Sequence, residues 1–304
     1  MELPKYSKVF TLGEEPIKEI LEGKIIVEEK TDGSLFRIYI DNNQMFFGSK
    51  SVDFIEIPPD KMFLMIVDKS KENLKSIDFK NHVVTIFGEY IMKPRHNTLC
   101  YEKTPKNNLV VFDINLDGNW LDYENKKNYA ELLGFDVAPL LFRGEGKKLT
   151  KEKIEELLKI QSFLGKTTIE GIVIKNYERP YNLIKYPYLN GKFMVGKYVN
   201  EEFKELNKEN WKQIKKGVVE TLIESLRNEN RWKKSLQHLK EQGKLENSPR
   251  DIADIIREVI KDVEEEEGEN IKNLLFEHYW REIKTGMVKG LPEWYKKQLA
   301  FGDS

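Results

Sequence analysis

The sequence predicts an α+β fold with mainly antiparallel sheets, followed by an all-α C-terminal region. Up to about residue 200, short runs rich in β-branched and aromatic residues alternate with turn signals, a pattern typical of strands. Beyond Asn200 these runs vanish, and apolar residues recur at helical spacing. We therefore expect an α+β domain at 1–205 and a helical domain at 206–304.

The composition excludes several classes of protein. The 304 residues suffice for two domains with cores, and 39% hydrophobic with 33% charged residues is typical of soluble globular chains. Cys100 is the only cysteine, which excludes an intramolecular disulfide and a cysteine metal cluster. No apolar run is long enough for a membrane span, so we expect a cytoplasmic protein without membrane contact. The net charge of −1 gives no overall attraction for nucleic acid, and no obligate protein partner is implied.

Individual elements follow from hydrophobic periodicity and end signals. A first hairpin is expected at 24–40, with its turn at Asp32-Gly33. Asp60 is expected to cap a helix at 60–75. Further strands are predicted at 45–47, 82–91, 109–114, 170–175 and 193–199, and helices at 16–21, 123–133, 150–162, 209–240, 249–266 and 271–284.

Lys30 is the first candidate for chemistry. It ends the run Ile25–Val27, Glu28, Glu29 and precedes the Asp32-Gly33 turn. A lysine amine at a strand end, beside exposed backbone N–H groups, suits a nucleophile next to a phosphate. Taken by itself, however, this stretch favours a solvated lysine before an ordinary hairpin.

Three carboxylates inside otherwise apolar strands strengthen the case for a site. A buried carboxylate costs several kcal/mol unless it has a partner. Each acid alone fits the surface end of a strand, but together with the lysines that follow them they indicate a shared site. The three acids are Glu89, Asp113 and Glu170, and the lysines that follow them include Lys175 and Lys197; Lys50 stands in an earlier strand-end segment.

In order and spacing, these segments resemble the covalent nucleotidyltransferase superfamily of ATP-dependent RNA and DNA ligases and mRNA capping enzymes. The resemblance covers about 24–205 and is greatest to the RNA ligase 2-like group. It implies a nucleotidyltransferase domain, an ATP-grasp-like ligase adenylation fold. The matching segments are motif I at Lys30–Ser34, motif Ia at Gly48–Ser51, motif III at Phe87–Glu89, motif IIIa at Val111–Asp113, motif IV at Glu170–Lys175, and motif V at Lys197 with Asn200–Phe203. The loop Lys93–Leu99 is also similar to RNA ligase sequences.

The resemblance assigns the central chemical roles. Lys30 is implied to form a lysyl–AMP phosphoramidate. Glu170 is implied to bind a divalent metal, Mg²⁺ or Mn²⁺, and Glu89 to lie near the ribose or that metal. Phe112 is implied to stack on adenine, with a plain core phenylalanine as the alternative.

The remaining implied contacts concern phosphates and the base. Lys175 and Lys197 are the candidate cations for the α-phosphate. The other implied nucleotide contacts are Glu29, Gly33 and Lys50. The family often has a second motif V lysine, at the position of Val199, and Lys185 or Lys192 is the candidate replacement.

The prediction of the substrate class depends on the stretch before Lys30 and on the region after residue 205. NAD-dependent DNA ligases normally carry an extra N-terminal domain, so the short stretch before Lys30 favours ATP. DNA ligases and capping enzymes usually continue into an OB barrel, whereas the helical texture after residue 205 favours an RNA ligase that joins 3′-hydroxyl and 5′-phosphate RNA ends. The alternatives are a DNA ligase or guanylyltransferase with the same core, or an inactive RNA-binding relative. Basic clusters at Lys212–Lys216 and Arg231–Lys234 are candidates for RNA phosphate contacts, or else solvated helix faces.

Overall fold

The computed structural model describes residues 2–50, 52–54, 58, 61–182, 189, 192–199 and 218–301. They divide into two compact units, one within Met1–Lys204 and Lys240–Leu245, the other within Glu205–Leu239 and Glu246–Ser304. The domain boundary predicted at 205/206 lies outside the described residues, as do Asp60, Ser51, Lys185, Asn200–Phe203 and Lys212–Lys216.

The first unit contains two β-sheets. All strand pairs are antiparallel except β1 with β12 and β7 with β9, so the predicted α+β fold with mainly antiparallel sheets is confirmed. One sheet has the order β1-β12-β11-β2-β10, and the other has the order β5-β4-β3-β6-β7-β8 with β9 beside β7. The strands are β1 Phe10–Thr11, β2 Lys24–Lys30, β3 Ser34–Asp41, β4 Gln44–Gly48, β5 Asp53–Phe54, β6 Val83–Tyr90, β7 Leu109–Leu116, β8 Asn119–Trp120, β9 Asp136–Val137, β10 Leu140–Glu145, β11 Gly171–Pro180 and β12 Phe193–Val199.

The hairpin predicted at 24–40 is wrong. Strand β2 pairs with β10 and β11, whereas β3 pairs with β4 and β6 in the other sheet. The Asp32-Gly33 turn therefore carries the chain from one sheet to the other. The physical reason lies in β2, where residues 25–29 are all buried. A strand covered on both faces takes a central place in a sheet and needs two partners.

Three α-helices accompany the sheets in the described part of the first unit. They are α1 Leu64–Leu74, α2 Tyr123–Leu132 and α3 Lys151–Leu157. Asp122 caps α2 by accepting a hydrogen bond from the N–H of Asn125. Thr150 caps α3 in the same way. Helix α3 ends earlier than the predicted 150–162, and the helix predicted at 16–21 is only a 3₁₀ turn at Glu15–Ile17.

The packing of the sheets determines which side of β2 faces the site. Side chains alternate along a strand, so Ile25 and Val27 point to one side and Glu28 and Lys30 to the other. Ile25 and Val27 lie in a hydrophobic cluster with Leu157 of α3. The polar side of β2 consequently faces the second sheet.

The described part of the second unit is helical. A capping box formed by Ser248 and Asp251 opens the long helix α6. The helices predicted at 249–266 and 271–284 are one continuous helix, which runs through Gly268 and Asn270 without a break. The acidic run Glu264–Glu267 therefore lies inside α6. The helices are α4 Val218–Leu226, α5 Glu229–Glu241, α6 Ile252–Met287 and α7 Leu291–Phe301.

Arg231 belongs to the packing of this unit and is not a surface cation. Its side chain is fully buried and donates to Asp262 over 2.8 Å. The expectation that Arg231 could contact RNA phosphates is wrong, because the guanidinium is occupied inside the protein. None of the helices in the described part of the chain combines the length and apolar character that a bilayer span requires.

Candidate active site

The site is centred on an ion pair between Lys30 and Glu170. Lys30 ends β2 and pairs in register with Gly171, the first residue of β11, so the preceding Glu170 lies beside it. The Lys30 Nζ donates to both carboxylate oxygens of Glu170 at 2.6 Å. The two side chains are 27% and 16% exposed, which leaves the pair accessible from solvent.

Electrostatic interactions among Lys30, Glu170 and Glu89 determine the protonation of these side chains. Burial alone would lower the pKa of the Lys30 amine, but the charges of Glu170 and Glu89 outweigh it and raise the pKa above its usual value. Burial raises the pKa of Glu89 to about 8, against the opposing charge of Lys30. Burial also raises the pKa of Glu170, which Lys30 and Lys197 oppose. Lys30 is therefore an ammonium at neutral pH.

Gly33 brings Glu89 to the same place. Its N–H donates to the Glu89 Oε1 over 3.2 Å. A Cβ built on Gly33 would lie 2.6 Å from the carbonyl oxygen of Tyr90 and 2.8 Å from the Glu89 Cγ. The turn that follows Lys30 thus packs backbone against β6, and only glycine fits there.

The loop that follows β6 is fastened to this turn through Asp32. The Asp32 Oδ2 accepts hydrogen bonds from the N–H groups of Thr98 at 2.8 Å and Leu99 at 2.7 Å. The Asn97 Nδ2 donates to the carbonyl oxygen of Gly33 over 2.6 Å. These bonds fix the backbone around Lys30, so the role of Asp32 in the described geometry is structural.

Lys197 reaches the site from the neighbouring strand. It pairs with Val173, which in turn pairs with Glu28, and residues in register share one face of a sheet. Its charge acts on Glu170. Val199, at the place of the family's second lysine, pairs with Gly171 beside Lys30, so that position faces the site without a charge.

Lys175 lies buried between the sheets. Its buried ammonium donates to the Asp113 Oδ1 and the carbonyl oxygen of Phe112, and it lies 2.8 Å from the Glu28 Oε2. Although burial opposes it, these two carboxylates raise the pKa of Lys175 to about 12. The described contacts of Lys175 are therefore with Glu28 and Asp113, away from the Lys30–Glu170 pair.

Lys192, the other candidate replacement for the missing motif V lysine, lies in the same interior. Its side chain is buried, with its Nζ 3.6 Å from the Asp113 Oδ2. Burial lowers the pKa of Lys192 to about 7. Lys192 therefore interacts with Asp113. The lysine whose charge acts on Glu170 is Lys197.

Phe112 is partly exposed and has neighbours on several sides. It packs beside a small hydrophobic cluster that includes Leu99, Tyr101 and Leu164. Its ring centroid lies 4.9 Å from that of Tyr6, at an interplanar angle of 81°. The residue as a whole keeps partial exposure, as base stacking would require.

Glu29 points away from Lys30. Strand alternation places it on the opposite face of β2, where it is buried. Its carboxylate accepts hydrogen bonds from the Ser162 Oγ and from the N–H of Phe163. Lys50 is exposed beyond the end of β4, and its predicted contact with ribose or phosphate stays a prediction.

The structure adds Glu28, Lys126 and Tyr6 to the surroundings of the site. Glu28 was detectable, because alternation puts it on the same face as Lys30. Lys126 sits on α2, where a lysine usually indicates a solvated helix face, and no pattern in the sequence singles out Tyr6. Within the described residues, no group of three or more His, Cys, Asp or Glu side chains forms a metal cluster.

Comparison with known proteins gives one family and a set of solved structures. The model of the RNA ligase family matches residues 23–187. Two similar structures are a ligand-free mutant form of Naegleria gruberi RNA ligase, with 20% identity and a TM-score of 0.48, and the same enzyme with PPi, with 19% identity and a TM-score of 0.48. They cover 66% and 70% of this chain, which spans 56% and 59% of theirs. No curated protein matches the chain significantly.

Proposed function

The chain belongs to the RNA ligase family, and from that premise we propose that it joins RNA ends in an ATP-dependent reaction that passes through a lysyl–AMP on Lys30. The observation that carries the proposal is the contact of the Lys30 amine with both oxygens of Glu170, with Glu89 held beside it through Gly33. An amine beside two carboxylates, open to solvent at a strand end, suits a nucleophile that must meet a phosphate.

In the first step, Lys30 loses its proton and its Nζ attacks the α-phosphorus of ATP. The bond to the β-phosphate oxygen breaks, and pyrophosphate leaves with that electron pair. In the second step, a 5′-phosphate oxygen of an RNA end displaces Lys30 and takes the AMP. In the third step, a 3′-hydroxyl loses its proton, attacks that 5′-phosphate and releases AMP, which leaves a phosphodiester.

The surrounding residues divide the work of binding. Phe112 offers a partly exposed ring for the adenine, and the backbone at Gly33 is fixed close to the phosphates. Lys197, whose charge already acts on Glu170, is the described cation best placed for the α-phosphate.

Glu170 and Glu89 fit a divalent metal, because carboxylate oxygens are the donors that Mg²⁺ and Mn²⁺ prefer and both groups face the same ammonium. A bound ion would supply positive charge that competes with Lys30 for these carboxylates and neutralises phosphate charge. RNA ends are the proposed partner, and nicked duplex and free single strands are the substrates to compare.

The test is self-labelling with α-labelled ATP, GTP or NAD in the presence of magnesium, followed by sealing assays on nicked RNA, single-stranded RNA and DNA. We expect label from ATP on the wild-type protein and none on Lys30→Ala, with sealing of RNA ends. Equal labelling of Lys30→Ala and wild type would refute the assignment of the nucleophile. Sealing of DNA alone would refute the substrate.

A further inference from the structure

Strand β7 is irregular at Phe112. In the ladder between β6 and β7, Phe87 pairs with Asp113 and Gly88 pairs with Val111, so Phe112 is an extra residue at this point. Such a bulge leaves backbone groups outside the regular ladder and redirects a side chain. The carbonyl oxygen of Phe112 therefore needs partners from elsewhere.

Two buried lysines supply those partners. The Lys126 Nζ donates to the Phe112 carbonyl oxygen over 2.8 Å, and the Lys175 Nζ donates to it over 2.6 Å. Lys126 also forms an ion pair with Glu28, and both side chains are almost fully buried. Two ammonium groups on one backbone oxygen hold that peptide unit in place far more firmly than a single ladder bond would.

Burying the Lys126 and Lys175 ammonium groups at this carbonyl oxygen does not favour the free energy of folding by itself. Removing an ammonium from water costs several kcal/mol, and buried ion pairs can often be replaced by apolar residues without loss of stability. Burial accordingly lowers the pKa of Lys126 to about 8. A gain in the precision of Phe112 would account for a feature that stability does not.

The ring of Phe112 has its own support from the N-terminal segment. The Tyr6 ring stands nearly perpendicular to it at 4.9 Å, and the Tyr6 hydroxyl donates to Asp113. The segment is anchored where the Arg37 Nη1 donates to the carbonyl oxygen of Pro4 over 3.0 Å. Tyr6 precedes the region 23–187 that the RNA ligase family model matches.

We propose that Lys126 and Tyr6 are positioning residues that hold Phe112 in the orientation that receives the nucleotide base. Lys126 fixes the backbone at the bulge, and Tyr6 limits the rotation of the ring from the side. Neither residue contacts the nucleotide in this role. The inference rests on the proposed function, because it takes Phe112 as the residue that stacks on the base.

The test measures the single-turnover rate of self-labelling without RNA at increasing ATP concentrations. Here KM denotes the ATP concentration that gives half the maximal rate, and kcat denotes that maximal rate. Lys126→Met is expected to raise KM roughly fivefold, about the value of a weak base–aromatic stack, with a smaller effect on kcat. Glu28 keeps Lys175 at 2.8 Å in this variant, so no carboxylate loses its last cation. Lys126→Arg retains a donor and should recover most of the affinity.

Tyr6 provides an independent arm in case Lys126→Met folds poorly. Tyr6→Leu removes the ring and should raise KM similarly, whereas Tyr6→Phe keeps the ring and should stay close to wild type. Lys69→Met is the matched control, because Lys69 is a partly buried lysine that donates to Asn108 instead of Phe112. Thermal melts of all variants measure the purely structural cost.

A double-mutant cycle separates positioning from general damage. In a Phe112→Leu background, Lys126→Met and Tyr6→Leu should have no further effect on KM, because the side chain they position is gone. Unchanged KM in the single variants, or full additivity in the Phe112→Leu background, would overturn the inference while leaving the proposed function intact. Absence of ATP labelling in the wild type would overturn both.

Discussion

Replacing Gly33 by alanine tests whether the turn after Lys30 must pack backbone against β6. The added Cβ would lie 2.6 Å from the Tyr90 carbonyl oxygen, 2.8 Å from the Glu89 Cγ and 3.0 Å from the Ile91 Cγ1. Real Cβ atoms do not approach other atoms so closely. The turn must therefore move away from β6 or push Glu89 aside.

The magnitude follows from these distances. Overpacking of this kind costs about 1–3 kcal/mol of the free energy of unfolding. Relieving the contact to Tyr90 needs a shift approaching 1 Å, and a misplacement of about 1 Å at a reacting group costs roughly 100-fold in rate. Gly33→Ala should thus slow self-labelling far more than its loss of stability suggests.

The assay compares the single-turnover rate of ATP labelling with urea unfolding. Gly268→Ala is the matched control, because a Cβ at Gly268 in α6 meets no atom within 4 Å. That variant should label at the wild-type rate and be stabilised by up to ~1 kcal/mol. If Gly33→Ala labels as fast as wild type, the close packing of this turn does not matter for the chemistry.

Three further predictions address neighbouring features. Glu170→Gln should reduce self-labelling at least about 100-fold, as loss of a preorganised charge does, whereas Glu29→Gln should retain it, because that side chain faces away from the nucleophile. His96, whose pKa burial lowers from 6.5 to about 4, accepts a hydrogen bond from the N–H of Met92 and is destabilising when protonated. Wild-type stability should therefore fall by about 3 kcal/mol more than that of His96→Asn as the pH drops from 7 to 4. Arg231→Met should cost about 1–3 kcal/mol of unfolding free energy, because the buried Asp262 loses a charged hydrogen-bond donor and keeps Lys234, at 3.3 Å.

Each of these has an outcome that contradicts it. Loss of labelling in Glu29→Gln at unchanged stability would show that Glu29 contributes to the nucleotide site. Parallel pH profiles for wild type and His96→Asn would show that the buried imidazole does not drive the acid sensitivity. A normal urea midpoint for Arg231→Met would mean that its ion pair contributes nothing to the fold.

The sequence predicted the strands well because their apolar residues report burial directly. The runs predicted at 82–91 and 109–114 correspond to β6 and β7. The change from β-rich runs to helical periodicity beyond residue 200 correctly indicated the helices of the second unit. The placement of Glu170 beside Lys30 depended on the resemblance, since the two residues are 140 positions apart. Local patterns carry no information about which strand pairs with which.

The same limit explains the hairpin error. An Asp-Gly turn between two apolar runs is a strong local signal for a hairpin. The fully buried β2 shows instead that each run needed partners on both sides, which the two different sheets supply. Side-chain alternation also places Glu29 on the other face of β2 from Lys30. The sequence alone supports this conclusion once β2 is taken as a strand.

Charged residues in the interior were the hardest to foresee. Lys175 was expected at the phosphate, but Glu28 and Asp113 hold it between the sheets. No sequence pattern marks Lys126 of α2 as buried, because its partner Glu28 lies 98 positions earlier. Ion pairs between distant segments follow from the tertiary fold and leave no periodic trace.

The most direct test of the central claim is peptide mapping by mass spectrometry after incubation with ATP and magnesium. The account predicts one added AMP on the peptide that contains Lys30, absent from Lys30→Ala and removed by pyrophosphate. An AMP on another lysine would contradict it. So would the absence of an adduct without RNA, at ATP and magnesium concentrations that support sealing once RNA ends are added.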